Sequence, residues 1–137
     1  MKVIYIHKYN CQKLHKPLHP CYEEILRLCM DDLSANGFTG NVHLILQTGK
    51  SQSQSKWYGL CDYFAQPMPK VYIYTYRHRV MTNVNTIAHE FGHISHYVTL
   101  PHSRYWNSRL QEQYANQYAA LMLQHFHFNR TKRKLAA

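Results

Sequence analysis

Residues 83–98 read NVNTIAHEFGHISHYV, and this stretch decides which fold the sequence predicts. Ile87, Phe91 and Ile94 recur at intervals of four and three residues, the spacing that places side chains on one face of a helix. Pro101 follows the stretch, where it would end a helix. The pattern therefore predicts a helix over 83–98 whose apolar face is buried against the rest of the protein.

The segments around this helix have patterns of their own. The predicted elements are a short strand at 3–6, a helix at about 20–35, strands at 42–47, 56–64 and 70–76, the helix at 83–98 and a helix at about 108–126. This order, (β)αβββαα, predicts an α+β fold in which the helices flank a small three-stranded sheet. Pro67 and Pro69 precede the strand at 70–76 and favour an edge position for it, while a place inside the sheet stays open.

The composition bounds the size and the partners of the protein. With 137 residues, of which 45% are apolar, the chain has the size and content of one globular domain. Its net charge of +9, counted with neutral histidines, favours acidic partners, including nucleic acid that could bind the basic tail at 130–137. No stretch approaches the roughly 20 apolar residues that cross a bilayer, and the N-terminus lacks a signal-peptide core. We therefore expect a cytoplasmic protein that acts without a membrane.

The predicted helix carries the run His89-Glu90-Phe91-Gly92-His93. Residues four positions apart lie one turn along a helix and nearly on the same side, so both imidazoles can reach one ion. Glu90 projects at a neighbouring angle, toward the side of the ion where a water would lie. Two histidine ligands with a carboxylate base outside the ligand set predict a zinc site. The alternative is a polar helix face that uses His and Glu without a metal.

A zinc site of this kind needs a third ligand from the protein. After Phe64 the chain contains only two acidic residues, Glu90 and Glu112. Glu112 and Asn116 are four residues apart on the last helix, so one can bind the metal while the other hydrogen-bonds the outer nitrogen of a ligand histidine. Glu112 is our candidate ligand. Its alternative role is that of a first-turn carboxylate stabilised by the helix dipole.

At this point the sequence resembles a known family. HEFGH at 89–93 followed by ExxANxxA at 112–119 is similar to the pattern of the gluzincins, above all the minigluzincins and the ImmA/IrrE-type metallopeptidases. The resemblance implies one zincin-like metallopeptidase domain over 1–129, with an active-site helix and a following glutamate-bearing helix, and leaves 130–137 as a basic tail. Many relatives carry Asp where Asn116 stands, and an amide brings no charge to the histidine that it contacts.

The same resemblance implies roles for individual residues. His89, His93 and Glu112 would be ligands of Zn²⁺, and Glu90 would be the general base. A zinc-dependent endopeptidase of this type hydrolyses a peptide bond through a metal-activated water, whose proton Glu90 takes and later passes to the leaving amine. The expected partner is a protein or peptide substrate, and the positive charge of the chain favours acidic ones.

Peptide hydrolysis also needs a hydrogen-bond donor for the oxyanion that forms. Tyr105 and His102 lie in the connection between the two helices, and of these we prefer Tyr105 as a catalytic residue. Either residue has an ordinary packing role as its alternative. The strand at 70–76, if it lies at the edge of the sheet, can hold an extended peptide by strand addition.

Other metal-binding residue types stand outside this pattern. His96 lies on the same helix face but roughly 10 Å along the axis from His89, so we expect a cleft or exposed residue and not a ligand. A second set has four members within a short segment: Cys11, His15, His19 and Cys21. Its spacing fits no common zinc finger, so a second metal site and a loop with incidental ligands both stay open.

Two other classes of function stay open. The ligand set is compatible with a metal-dependent hydrolase that acts on a non-peptide bond. The chain is also compatible with a zincin-fold regulatory or nucleic-acid-associated binding protein that has little or no peptidase activity and uses the tail at 130–137. Replacement of Glu90 separates these classes, because an enzyme loses turnover and keeps zinc whereas a binding protein loses neither.

Overall fold

A computed structural model describes residues 2–9, 11–49 and 58–136. The elements are β1 (Val3–Tyr9), β2 (Gln12–Leu14), α1 (Pro20–Ala35), β3 (Val42–Gln47), β4 (Gly59–Asp62), β5 (Lys70–Tyr74), α2 (Val80–Thr99), one 3₁₀ turn (Ser103–Tyr105) and α3 (Ser108–Ala136). The three predicted helices are present, and α1 has the predicted bounds. The part of the predicted strand at 56–64 that precedes residue 58 lies outside the described residues.

The sheet has five strands within the described part of the chain, so the predicted three-stranded sheet is wrong. Its order is β2-β1-β3-β5-β4, with β1, β3 and β5 parallel and with β2 and β4 antiparallel at the two edges. The prediction treated the first strand as an optional addition, but β1 pairs with β3 over six residues, from Val3 with Val42 to Lys8 with Gln47. Strand β2 has no alternation of apolar residues that would predict it, and only its pairing with β1 makes it a strand.

Strand β5 lies inside the sheet, so its predicted edge position is wrong as well. It pairs with β3 on one side and with β4 on the other. The prolines do not prevent this, because both precede the strand and Pro69 takes part through its carbonyl, which accepts a hydrogen bond from the backbone N–H of His43 at 2.9 Å. Strand β4 is therefore the edge strand on this side of the sheet.

The core lies between one face of the sheet and the three helices. Helix α2 is the central element, since it packs against α1, α3, β4 and β5. Its apolar face is fully buried, as the spacing of Ile87, Phe91 and Ile94 predicts. The main core residues of the strands and helices are Val42, Leu44, Leu46, Val71, Ile73, Ile87, Phe91, Ile94, Tyr118, Met122 and Phe126.

Helix α3 is longer than its sequence pattern predicts. It runs through the segment named as a basic tail and ends at Ala136. In that segment the Arg133 guanidinium donates two hydrogen bonds of 2.8 Å to the Glu24 carboxylate of α1. Neither α3 nor any other described helix combines the length and the apolarity needed to cross a membrane.

Candidate metal centre

His89 and His93 meet the carboxylate of Glu112 at the crossing of α2 and α3. The Nε2 atom of His89 lies 2.9 Å from Glu112 Oε2, and that of His93 lies 3.0 Å from Glu112 Oε1. The two imidazole rings are 5.0 Å apart between centroids. Thus the two histidines that lie one turn apart in the sequence, and a glutamate from the next helix, bring three potential ligand groups to one point.

A close contact between the two helices places Glu112 beside the histidines. Gly92 faces Ala115, and a Cβ at Gly92 would lie 3.1 Å from the Ala115 carbonyl oxygen and 3.1 Å from the Cβ of Tyr118. Any side chain at 92 would therefore push α3 away. Glu112 lies one helical turn before Ala115, so the approach of the backbones determines how far its carboxylate reaches toward α2.

A cluster of three hydroxyl groups joins the helices next to this contact. The Thr99 hydroxyl donates to the Ser95 carbonyl at 2.8 Å, so at 3.1 Å its oxygen accepts from the Tyr114 hydroxyl. The Tyr114 oxygen in turn lies 2.9 Å from the Ser95 hydroxyl, which is then the donor. These bonds restrict sliding of α3 along α2 and hold the glutamate in register with the histidines.

Glu90 is a buried carboxyl group at the side of the site. The residue is 6% exposed, and burial, with the charge of Glu112 as the second cause, raises its pKa to about 8. Gly59 of β4 leaves the room that Glu90 occupies, since a Cβ at Gly59 would lie 3.0 Å from Glu90 Cγ. A carboxyl group with a raised pKa holds a proton more readily near neutral pH, which suits a group that takes and returns a proton.

The same groups line a cavity of about 610 Å³. Its walls come from β4, α2 and the start of α3, and they include Tyr58, Gly59, Leu60, Cys61, Asn85, Thr86, His89, Glu90, His93, Tyr97, Gln111 and Glu112. The sequence did not predict the contribution of β4. The available signals were weak, namely a glycine at 59 and a short strand, and neither indicates which element that strand will face.

The donor set fits a zinc ion. One ligand atom from each of His89, Glu90 and His93 lies within 4.8 Å of the others, and Glu112 contacts both histidines. Of the two carboxylates, Glu112 is the better ligand because it reaches both rings, whereas Glu90 is the more buried group. Burial lowers the pKa of His93 and so favours the neutral imidazole, which is the form that binds metals.

The connection between α2 and α3 lies away from this cavity. Tyr105 is 72% exposed, and its hydroxyl accepts a hydrogen bond of 2.7 Å from the Arg104 guanidinium. Neither Tyr105 nor His102 lines the cavity, so the geometry gives no support to an oxyanion role for either residue. Tyr58 and Tyr97 are the tyrosines that do line it.

Two residues near the predicted ligands occupy other places than expected. His96 is fully buried, so the expected cleft or exposed position is wrong; its ring Nδ1 lies 2.8 Å from the Ser103 hydroxyl. Asn116 is exposed, and among the described residues its amide forms no hydrogen bond with a ligand histidine. Glu112 thus contacts the histidines, and Asn116 does not.

The second cluster of metal-binding residue types does not form a metal site within the described part of the chain. The Nδ1 atom of His19 accepts a hydrogen bond of 3.0 Å from the backbone N–H of Cys21 and thereby caps α1. Cys11 is exposed and Cys21 is half-buried. Neither they nor His15 belong to a group whose ligand atoms converge.

Comparison with known proteins adds no assignment to this site. No protein-family model matches the chain, and neither does any curated protein or solved structure at a significant level.

Proposed function

We propose that the protein is a zinc-dependent endopeptidase that hydrolyses a peptide bond through a metal-activated water, with Glu90 as general base. The observation that carries this proposal is the contact of the Glu112 carboxylate with both His89 and His93, at 2.9 and 3.0 Å, beside the buried carboxyl group of Glu90. Two imidazoles, one carboxylate ligand and a second carboxyl group outside the ligand set are what hydrolysis at a zinc site requires.

His89, His93 and Glu112 would hold the ion. Zinc at this position supplies Lewis-acid polarisation of a carbonyl and lowers the pKa of a water molecule. Glu90 accepts the proton of the attacking water and donates it to the nitrogen of the leaving amine. Burial raises the pKa of Glu90 to about 8, and the positive charge of a bound zinc ion would lower it again and favour the ionised form that accepts a proton.

The edge strand β4 supports a protein or peptide as the substrate. Among the described strands it pairs with β5 alone, and residues 59–61 line the same cavity as Glu90. The backbone N–H and C=O groups on its other side can pair with an extended peptide, which would pass across the cavity. Backbone pairing of this kind places a peptide bond next to Glu90 with little dependence on side chains, and the net charge of +9 favours acidic sequences.

The test compares wild type with Glu90→Gln and His93→Ala in metal content and in cleavage of a quenched-fluorescent peptide library that includes acidic members. We expect Glu90→Gln to keep stoichiometric zinc and to lose about 100-fold or more in turnover, because general base catalysis contributes about that much. His93→Ala should lose both zinc and turnover. Glu23→Gln, on the exposed start of α1, is the matched control and should behave like wild type.

Two results would contradict the peptidase proposal. One is full turnover by Glu90→Gln, since the base would then be another group. The other is a zinc-loaded wild type that cleaves no member of the library, which would favour the regulatory or nucleic-acid-associated binding protein or a hydrolase for a non-peptide bond.

A further inference from the structure

The sheet has a second face that none of the described helices covers. In β3 the side chains of Val42, Leu44 and Leu46 point to the helices and belong to the core, so those of His43 and Ile45 point the other way. The three helices all contribute to the core on the first face. The opposite side, which we call the open sheet face, carries four exposed residues, Ile4, Lys13, Leu60 and Asp62, and seven half-buried ones, Ile6, Lys8, His43, Gln47, Lys70, Tyr72 and Tyr74, around Ile45, which is 4% exposed.

The register of the strands arranges this face in rows. An apolar row crosses the middle of the sheet and contains Ile6, Ile45, Tyr72 and Leu60. The row on one side contains Lys13, Lys8, Gln47 and Tyr74, and the row on the other side contains Ile4, His43, Lys70 and Asp62. The face is therefore an apolar and aromatic strip bordered by lysines.

The positive charge on this face lies in the two rows that border the apolar row. Lys70 is the cross-strand neighbour of His43, whereas Lys8 and Lys13 belong to the row of Gln47, on the other side of the apolar row. Burial lowers the pKa of His43, and the charges of Lys70, Lys8 and Lys13 lower it further, in that order. The lysines, and not the histidine, therefore supply the positive charge of this face.

The acidic residues of the chain lie almost entirely elsewhere. Six of the seven are on the helices, namely Glu23, Glu24, Asp31, Asp32, Glu90 and Glu112. Asp62, opposite Lys70 at the end of β4, is the one acidic residue of the sheet. The helices α1, α2 and α3 pack on the other side and carry six basic residues beside these six acidic ones, whereas the open sheet face carries three lysines and one aspartate. The open sheet face therefore has a net positive charge.

We propose that the open sheet face binds single-stranded nucleic acid, with phosphates at Lys8, Lys13 and Lys70 and with bases stacked on Tyr72 and Tyr74. Lys13 is exposed and Lys8 and Lys70 are half-buried. Lysines and aromatic rings on one sheet face are the two features by which proteins hold a single strand without reading its sequence. A second copy of the chain is a poor occupant, because the two lysine-bordered faces would repel each other. An acidic peptide would use the lysines but has no need of the tyrosines.

This inference does not depend on the peptidase proposal. The cavity with Glu90 lies on the helix side of the sheet, and Leu60 of the edge strand is the one residue of the open sheet face that also lines it. No residue of the open sheet face belongs to the proposed ligand set. The binding surface also differs from the basic segment at 130–137, which the net charge alone suggested.

Fluorescence anisotropy with labelled oligo(dT) and oligo(rU) of about 20 nucleotides tests the proposal on the full chain. Three phosphate contacts predict a slope of about −2 for the logarithm of the binding constant against that of the salt concentration, since each contributes about −0.7 on a single strand. The double variant Lys8→Glu/Lys13→Glu should bind about tenfold or more weakly. Lys132→Glu/Lys134→Glu, on the exposed end of α3, is the matched control because it lowers the net charge equally.

Tyr72 tests the stacking part of the proposal. Tyr72→Phe keeps an aromatic ring and should bind like wild type, whereas Tyr72→Leu should bind about tenfold more weakly, because stacking is lost while an apolar side chain is kept. Thermal melting shows whether each variant is folded. Glu90→Gln should bind the oligonucleotides like wild type, because Glu90 does not belong to the open sheet face.

Three outcomes would overturn the proposal. The first is the absence of binding at low salt. The second is an equal loss of binding in the two lysine double variants, which would indicate attraction by net charge alone. The third combines two results: Tyr72→Leu and Tyr72→Phe bind the oligonucleotides equally well, and wild type binds phosphatidylserine vesicles more tightly than the oligonucleotides. Together these results would indicate a membrane surface as the partner.

Discussion

Gly92 of α2 lies against the backbone of α3 at Ala115: a Cβ at Gly92 would be 2.8 Å from the Ala115 Cα atom. Gly92 contributes to the metal site because it has no side chain, although it is not a ligand itself. It allows α3 to approach until the Glu112 carboxylate contacts His89 and His93. The geometry of the ligands thus depends on a contact between two backbones.

The variant Gly92→Ala tests this dependence. Helix propensity alone predicts that alanine stabilises α2 by about 1 kcal/mol, whereas overpacking against Ala115 predicts a loss of about 1–3 kcal/mol. Because the contact atoms belong to backbone, we expect the loss to prevail and the affinity for zinc to fall about tenfold or more. Urea unfolding and a zinc titration measure the two effects.

Gly40→Ala is the control for Gly92→Ala, since a Cβ there meets only the ring of Phe38, at 3.1 Å. A Gly92→Ala protein that is more stable than wild type and binds zinc unchanged would show that the helices are free to separate.

Zinc should stabilise the folded protein in proportion to its binding. A ligand that binds only the folded state at 100 times its Kd adds about 2.7 kcal/mol to the free energy of unfolding. We therefore expect a higher Tm with zinc for wild type, a smaller increase for Glu112→Gln and none for His93→Ala. His125→Ala, which removes an exposed imidazole from α3, should respond like wild type. Equal increases in all four proteins would place the bound zinc elsewhere.

His7 should make the stability fall in acid. It is 7% exposed, and burial, followed by the charge of Lys16, lowers its pKa, while a hydrogen bond to the Pro17 backbone acts in the opposite direction without cancelling them. Below its ordinary pKa of about 6.5 the unfolded chain binds a proton that the folded protein refuses, so the free energy of unfolding falls as the pH falls through that value. The fall levels off below the pKa of the folded state.

Replacement of this histidine should reduce the acid sensitivity. His7→Leu removes the titrating group next to Leu46, and its free energy of unfolding should fall less than that of wild type between about pH 7.5 and 5.5. Urea unfolding with a chelator present excludes a contribution from loss of metal. His127→Leu, at an exposed position, serves for comparison. If the free energy of unfolding depended on pH in the same way in His7→Leu and in wild type, His7 would not be the cause of the acid sensitivity.

Ser103 anchors the connection between α2 and α3 through His96. Its hydroxyl donates to the His96 carbonyl at 2.6 Å, so the ring Nδ1–H of His96 donates to the hydroxyl oxygen at 2.8 Å. Both residues are buried, and Ser103→Ala leaves the ring Nδ1–H of His96 unpaired, whereas the His96 carbonyl keeps the hydrogen bond of 3.0 Å from the backbone N–H of Leu100. An unpaired buried donor costs about 1–3 kcal/mol. Ser34→Ala, on the exposed end of α1, should change the stability by less than about 0.5 kcal/mol. Comparable stabilities of the two variants in urea would contradict this role.

Local features that repeat with the period of a helix can be predicted from the order of the residues. The burial of Ile87, Phe91 and Ile94 follows from their spacing, and the same periodicity places His89 and His93 one turn apart. These features are predictable because a helix satisfies its own backbone hydrogen bonds and therefore needs no partner to define its geometry.

Contacts between groups that are distant in the sequence depend on the packing of the whole fold. Strand β2 exists through its pairing with β1, β4 and not β5 forms the edge beside Glu90, and Glu112 rather than Asn116 contacts the histidines. The connection that holds Tyr105 leads away from the cavity. The physical reason is the same in each case. A strand obtains its hydrogen bonds from other segments, and the rotation of α3 depends on its contact with Gly92. A short stretch of sequence therefore predicts neither the neighbours of a strand nor the residues that α3 turns toward α2.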